Sequence, residues 1–244
     1  MDRTRKTEEV MTSLGVTEND LAELFPEFET VKNRFIYAET RMQGKLDDRR
    51  RALVVVTCLA TLEAEDLAEQ IRAAMTVGVT PVELQEVFHQ VAPYIGFTRA
   101  EHGLRVLAEV FREQGVSLPL PSQSTTDEET RLERGIKAQG DIFGEDQILA
   151  MRAGASADQA FMQDYLSAYC FGDTYTRNGL ELETRELLTF VAIITMGGCD
   201  PQASSHAAGN IAVGNDAQTL CSAIATCVPY LGFPRALNAL AWKR

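Results

Sequence analysis

The sequence predicts an all-α protein made of two tandem, similar helical units related by a pseudo-twofold axis. Three observations carry that prediction. First, Pro93-Tyr94-Ile95-Gly96-Phe97-Thr98-Arg99-Ala100 returns as Pro229-Tyr230-Leu231-Gly232-Phe233-Pro234-Arg235-Ala236, with Tyr94 and Tyr230 136 residues apart. The same shift, with no gap, pairs Phe25 with Phe161, Phe35 with Phe171, Thr40-Arg41 with Thr176-Arg177, Arg49 with Arg185, Gly78 with Gly214 and Leu104 with Leu240. Ungapped self-similarity over this length marks two copies of one structural unit. Second, both copies carry helix punctuation. Third, their most apolar segments lack flanking hairpin turns. Fused copies pack about a pseudo-twofold axis because they bury the faces that separate chains would bury as a dimer.

The first unit spans residues 15–115. Leu53-Val54-Val55-Val56 alone reads as a strand, but its counterpart Leu188–Ile194 sits in a longer uninterrupted apolar segment, so both are predicted to be buried helices. Gly78 is placed to end a helix. Thr80-Pro81-Val82-Glu83 opens the next one, with an N-cap, a proline at the first helical position and a capping-box glutamate. Pro93 falls late in that pattern and is expected to kink or end it, after which Gly96-Phe97 turns the chain. Residues 116–126, rich in Pro, Ser and Thr, read as a linker.

The second unit spans residues 127–244. Gly197-Gly198 closes its apolar helix, Asp200-Pro201 opens the next, and Gly214 with the cap Asp216 repeats the punctuation at Gly78 and Thr80. Pro229 repeats Pro93, Pro234 opens a last helix, and Trp242 reads as a packing anchor.

Composition narrows the function. A net charge of −12 disfavours nucleic acid, whose phosphates need clustered Lys and Arg, and disfavours anionic membrane surfaces. The apolar run Leu187–Met196 is too short to span a bilayer. Five cysteines without framework spacing, and a charged segment from Met1 to Val10 in place of a signal peptide, lead to an expectation of reduced thiols and a cytoplasmic location. His89, His102 and His206 are dispersed, so no metal site is expected, and no Gly-rich phosphate loop or Gly-x-Ser-x-Gly elbow appears. The expected ligand is a small molecule, with no cofactor.

Divergence between the copies locates the chemistry. His206 faces Gln70, Cys199 faces Glu63 and Glu186 faces Arg50. A helix starting at Asp200 puts Cys199 at its mouth, where the helix dipole favours a thiolate or an anion. It puts Gln202 one turn before His206, a residue able to act as general acid or base near neutrality. Glu186 can approach across the Gly-Gly turn. The plainer readings stand beside these: a hydrogen-bonded structural histidine, a small buried thiol, and a first-turn carboxylate complementing a helix dipole. For Cys58, Cys221 and Cys227, each inside an apolar segment, the buried reading holds.

Tyr169-Cys170-Phe171-Gly172-Asp173-Thr174-Tyr175-Thr176-Arg177-Asn178-Gly179-Leu180, then Arg185-Glu186-Leu187-Leu188-Thr189, His206, Gly214 and the segment from Tyr230 to Ala236 together resemble the carboxymuconolactone decarboxylase family, which includes the alkylhydroperoxidase branch. The resemblance covers nearly all of the second unit and, more weakly, Phe25–Leu107. It implies an alkylhydroperoxidase-like helical bundle and ring-like association. Three fused pairs would then rebuild a six-unit ring as a homotrimer.

The peroxidase branch works through Cys-x-x-Cys-x-x-x-His with an upstream glutamate. Cys199 and His206 match that pattern, and Glu186 matches with one residue inserted before Cys199, but Gln202 stands where the second cysteine belongs, so no intramotif disulfide can form. Thiol-dependent hydroperoxide reduction would need an external thiol, or Cys170 as resolving partner. The decarboxylase branch needs no cysteine pair. Its implied chemistry is cofactor-independent loss of CO2 from a small carboxylated lactone, with His206 as general acid. Asp173 or Glu186 would set the histidine's protonation state. Arg177 or Arg235 would fix a carboxylate, and Tyr230 would contact substrate. The arginines recur in the copy that lacks His206, which equally fits structural pairing. A third reading is a non-catalytic assembly or ligand-binding module.

Overall fold

The computed structural model describes residues 2–243, and among these it is all-α. The first repeat comprises α1 (Arg3–Leu14), α2 (Leu21–Leu24), α3 (Pro26–Arg34), a π-helical turn (Phe35–Glu39), a 3-10 turn (Thr40–Met42), α4 (Asp48–Leu62), α5 (Leu67–Thr76), α6 (Pro81–Ile95) and α7 (Phe97–Glu113). The second comprises α8 (Arg131–Phe143), α9 (Glu145–Ala153), α10 (Ala160–Tyr165), a π-helix (Leu166–Tyr175), α11 (Leu182–Met196), α12 (Asp200–Ala212), α13 (Ala217–Leu231), α14 (Phe233–Ala239) and a 3-10 turn (Leu240–Lys243). Residues 116–126 between α7 and α8 carry no helix.

The boundaries follow from local chemistry. Thr80 accepts from the Glu83 amide while the Glu83 side chain accepts from the Thr80 amide, a closed capping box. Asp216 caps α13 in the same way, accepting from the Thr219 amide at 2.7 Å. The two prolines do less than expected. Pro93 and Pro229 lie inside α6 and α13, which each run two residues further, to Gly96 and Gly232. In the last turn the missing proline N–H removes a single ladder bond, and the positive φ of each glycine, 84° and 74°, is what turns the chain.

The central helices α4 and α11 are equivalents in the two repeats and pack directly on each other, the signature of a pseudo-twofold axis. About that axis α6 packs on α11 and α13 on α4, so each repeat lends a helix to the other's centre. One continuous core spans both repeats, including Leu53, Leu59, Leu84 and Phe88 of the first and Leu187, Phe190, Ile193 and Leu220 of the second. Burying each such side chain contributes about 1.5–3 kcal/mol. Trp242 packs at its edge. Among the described residues no helix is long and apolar enough to cross a membrane.

A buried ion cluster pins the repeats together. Arg185, fully buried, donates to Glu86 at 2.9 Å, to Gln90 at 3.0 Å and to the carbonyls of Arg177 and Asn178. Arg177 forks onto the same Glu86 carboxylate. Burial alone would push the Glu86 carboxyl up, but its bonds to Arg177 and Arg185 outweigh that and hold it below its ordinary range.

Candidate active site

The π-helix Leu166–Tyr175 builds one wall of the site. Its wider turn is a rare geometry that recurs at functional sites. It directs Cys170, Phe171 and Tyr175 inward, where all three are buried. α8 lies against it at backbone contact distance: a Cβ on Gly172 would come within 2.0 Å of the Arg131 carbonyl, and one on Gly135 within 1.8 Å of the Ser167 carbonyl. Only glycines permit this crossing.

α11 and α12 supply the reactive groups. Glu186 is fully buried and holds His206 Nδ1 at 2.8 Å through one carboxylate oxygen. Tyr175 donates to the other oxygen at 2.5 Å. Gly209, one turn beyond His206, makes room for that carboxylate, because a Cβ there would sit 2.4 Å from Glu186 Oε1. Asn210 donates to the carbonyls of Glu186 and His206, at 3.0 and 2.8 Å, and so ties α12 to α11.

Behind the dyad runs a chain of donors that all point toward Glu186. Arg185 binds the Gln90 carbonyl oxygen, which turns the Gln90 amide NH2 onto Thr189 Oγ1 at 3.1 Å. Because the one Tyr175 hydroxyl proton goes to Glu186, the 2.8 Å contact between Tyr175 Oη and Thr189 Oγ1 takes the Thr189 hydroxyl as donor. Tyr175 then donates to Glu186. Each group accepts from one side and donates to the other. Gln90 belongs to the first repeat, so the dyad is supported across the repeat boundary.

Tyr94, also from the first repeat, meets the His206 ring edge-on with centroids 5.5 Å apart, and Phe143 does so from α8 at 5.4 Å. The Cys170 thiol donates to Tyr94 Oη at 3.3 Å. Burial is the main reason these groups stay neutral. It pushes the Cys170 thiol up to about 12, and the phenols of Tyr94 and Tyr175 well above their ordinary value, with nearby Cys170 and Glu186 adding to the effect on both.

With Nδ1 occupied, the rest of the His206 ring faces a cavity of ≈ 570 Å³, lined among others by Phe143, Met151, Tyr165, Tyr169, Gln202 and Ser205. This is an open pocket in which the Glu186–His206 dyad meets a largely apolar lining, suited to proton transfer between the ring and a bound small molecule.

The structure divides the residues singled out from sequence. Glu186 and His206 come together, and Gln202 lines the same cavity. Cys199 forms the N-cap of α12 as expected but lines a separate cavity of ≈ 230 Å³ with Arg235, while the thiol on the His206 cavity is Cys170. Arg235 donates to the Thr195 carbonyl. Arg177 is committed to Glu86, and Asp173 is held by Arg131. Tyr230 lines a third, much smaller cavity in the first repeat. None of these last four residues lines the cavity above His206. A carboxylate brought to His206 would therefore meet neither Arg177 nor Arg235, because both guanidiniums already have partners elsewhere. Tyr94, Tyr175, Gln90 and Gly209 belong to the site and were not singled out as its members, and Cys170 was named only as a resolving thiol for Cys199. The repeat shift held a signal for some of them, since Tyr175 faces Glu39 and Gly209 faces Ala73.

The sequence model of the Carboxymuconolactone decarboxylase family matches residues 26–109 and 160–244, once in each repeat. A solved structure, that of a provisionally assigned gamma-carboxymuconolactone decarboxylase subunit from Burkholderia xenovorans LB400, superposes with a TM-score of 0.58. It is 23% identical, over 100% of this chain and 96% of that one. No curated relative matches the sequence.

Proposed function

The chain belongs to the carboxymuconolactone decarboxylase family, and from that premise we propose that it is a cofactor-independent carboxy-lyase acting on a small carboxylated lactone, with His206 as the general acid. The observation that supports this most directly is the dyad: a buried carboxylate on Nδ1 and a cavity over the remainder of the ring.

The C–CO2 bond of the bound acid breaks, CO2 leaves, and the electron pair delocalises through the unsaturated ring onto the lactone carbonyl. The His206 imidazolium then delivers a proton from Nε2 to carbon, with Glu186 holding the cation meanwhile. His206 regains a proton from solvent, so the net change is one proton taken up and one CO2 released. Gln202 makes no side-chain hydrogen bond among the described residues and lines the cavity one turn from His206, so its amide is the candidate donor to the developing oxyanion.

The peroxidase reading receives less support from the geometry. Cys199 opens onto another cavity than His206, and Cys170, which does share the cavity, is held as a neutral thiol rather than the reactive thiolate.

The test is CO2 release from carboxylated butenolides by purified protein without added thiol or metal. His206→Ala is expected to lower turnover by about 10²–10⁴-fold with an unchanged helical circular dichroism spectrum. Full turnover in that variant would refute the assignment.

A further inference from the structure

The first repeat buries a cation at a position where the second repeat has an apolar side chain. Arg51 stands where Leu187 stands in the second copy. It is 4% exposed and lines a cavity of ≈ 30 Å³ together with Tyr37, Gln70 and Tyr230. Burial lowers its guanidinium to about 10, with Arg41 adding to the effect and Asp48 and Asp47 opposing it, so the group is charged at neutral pH. Of the five N–H groups that a guanidinium offers, the described residues engage two, through the Thr226 hydroxyl at 2.6 Å and the Leu46 carbonyl at 3.4 Å. Both acceptors are neutral. The two nearby carboxylates are committed elsewhere: Asp48 pairs with Arg41, and Asp47 caps α4 through the Arg50 amide. A cation taken out of water without an opposite charge held against it is costly.

The other polar groups on the cavity wall add donors rather than acceptors. Burial pushes the Tyr37 phenol up to about 12 and that of Tyr230 well above its ordinary value, so both keep their protons. Tyr37 accepts from Gln70 at 3.4 Å, and neither phenol donates to a partner among the described residues. The hydroxyls of Thr40 and Thr226 donate back into their own helices, to the carbonyls of Ile36 and Ser222.

We propose that this cavity is a binding site for one small monovalent anion, of halide size, held by Arg51 and by the hydroxyls of Tyr37 and Tyr230. Size sets the class, since the cavity is on the scale of about one or two water molecules; sulfate, phosphate and larger carboxylates do not fit. The ion reaches it from the rim, where Asp48 is exposed beside Arg41. The two repeats thereby differ in the sign of what they bury: the second carries its own anion in Glu186, and the first, with Arg50 at that position, takes one from solution. The site stands apart from the reaction at His206, and its effect falls on the stability of the fold.

The test uses bromide, whose anomalous X-ray scattering marks its position, on the intact protein. In crystals soaked in sodium bromide, an anomalous peak is expected in this cavity within hydrogen-bond reach of Arg51. In solution, replacing gluconate, which is too large to enter, by bromide at constant ionic strength is expected to raise the unfolding midpoint by about 2–4 °C. Arg51→Met keeps an unbranched side chain without the charge and is expected to lose both effects. Tyr230→Phe leaves the cation in place and is expected to shrink the midpoint shift, so it serves if Arg51→Met does not fold. No bromide peak beside Arg51 in the wild type would overturn the proposal. So would an equal midpoint shift in Arg51→Met, which would mark a general salt effect. A peak in crystals without any shift in solution would mean binding at crystal concentration only, and would overturn it as well.

Discussion

The pseudo-twofold axis relates the surroundings of His206 to those of Gln70 in the first repeat, and the two have diverged. Tyr230 enters the first-repeat site from α13 as Tyr94 enters the second from α6. There the likeness ends. Gln70 stands for His206 and bonds Tyr37 at 3.4 Å, while Arg50 stands for Glu186 and has swung away to Asn215 at 2.7 Å. Beside Gln70 and Tyr230 lies a small cavity of ≈ 30 Å³ walled also by Leu14 of α1, Ile36 and Tyr37, and Gln70 and Tyr230 are the positions it shares with the cavity over His206. Ile36 occupies the position of Gly172; a side chain there rules out the backbone contact by which α8 is drawn against the π-helix. The fold therefore does not require the dyad, since one copy keeps its architecture without it. What the first repeat retains is support: Gln90 and Tyr94 for the other repeat's dyad, and Glu86 for the arginine cluster behind it.

Removing the carboxylate should erase the chemical difference between the copies most completely. In Glu186→Gln the amide cannot accept from both Tyr175 and His206 while keeping both lone pairs of its oxygen in line, and it offers no charge to an imidazolium. A loss of about 10²–10⁴-fold in kcat/KM is expected, measured as CO2 release. Activity within twofold of wild type would show that His206 works without its partner.

The helix boundaries were legible in the sequence because they are local events. Thr80-Pro81-Val82-Glu83, Gly96, Cys199-Asp200 and Asp216 each act on amides within one turn, and each sits in the structure where its chemistry puts it. The pairing of Glu186 with His206 was legible for a related reason, since the Gly197-Gly198 turn folds two adjacent helices onto each other. Tyr94 and Gln90 were not, and Cys170 entered only as a resolving thiol for Cys199, not as a neighbour of His206. They arrive from the other repeat, or from a π-helix whose register depends on the glycine contact between Gly172 and α8, and no short-range pattern encodes either. Cys199 was misleading for the opposite reason: the helix mouth it caps is real, but the side of α12 it opens onto is not the side His206 faces.

A subtler change asks whether the space around the dyad matters apart from its chemistry. Ala73 of the first repeat faces Gly209 of the second, and Gly209→Ala would make the copies alike at that point. Its Cβ would fall 2.4 Å from Glu186 Oε1 and 2.9 Å from Phe143 Cε1. Neither group moves freely, because Glu186 is bonded at both oxygens and the Phe143 ring packs on His206. Overpacking of this kind costs about 1–3 kcal/mol. A lowered denaturation midpoint with turnover reduced at least tenfold is expected. A variant as stable and active as wild type would show that α12 shifts without disturbing the dyad.

The smallest effect concerns the thiols, and it separates the two cavities of the second repeat. Cys58, Cys170 and Cys227 are buried, Cys199 is partly exposed, and so is Cys221, for which the sequence suggests a buried thiol. Alkylation at pH 8 followed by peptide mass analysis should therefore label Cys199 and Cys221 within minutes and leave Cys170 unmodified. The Cys170 thiol, raised by burial to about 12 in the folded chain, has a pKa above that of a thiol in the unfolded chain, about 8.5. Folding thus favours its protonated form, and the stability this contributes is complete below the unfolded value and declines as pH rises from about 8.5 toward 12. Raising the pH from 8 to 10 should leave Cys170 slow to label while the chain is folded, because its thiol stays protonated and becomes reactive chiefly as the chain opens. Rapid labelling of Cys170 at pH 8 in folded protein would mean that the π-helix wall opens to solvent and that the thiol beside His206 is available for chemistry after all.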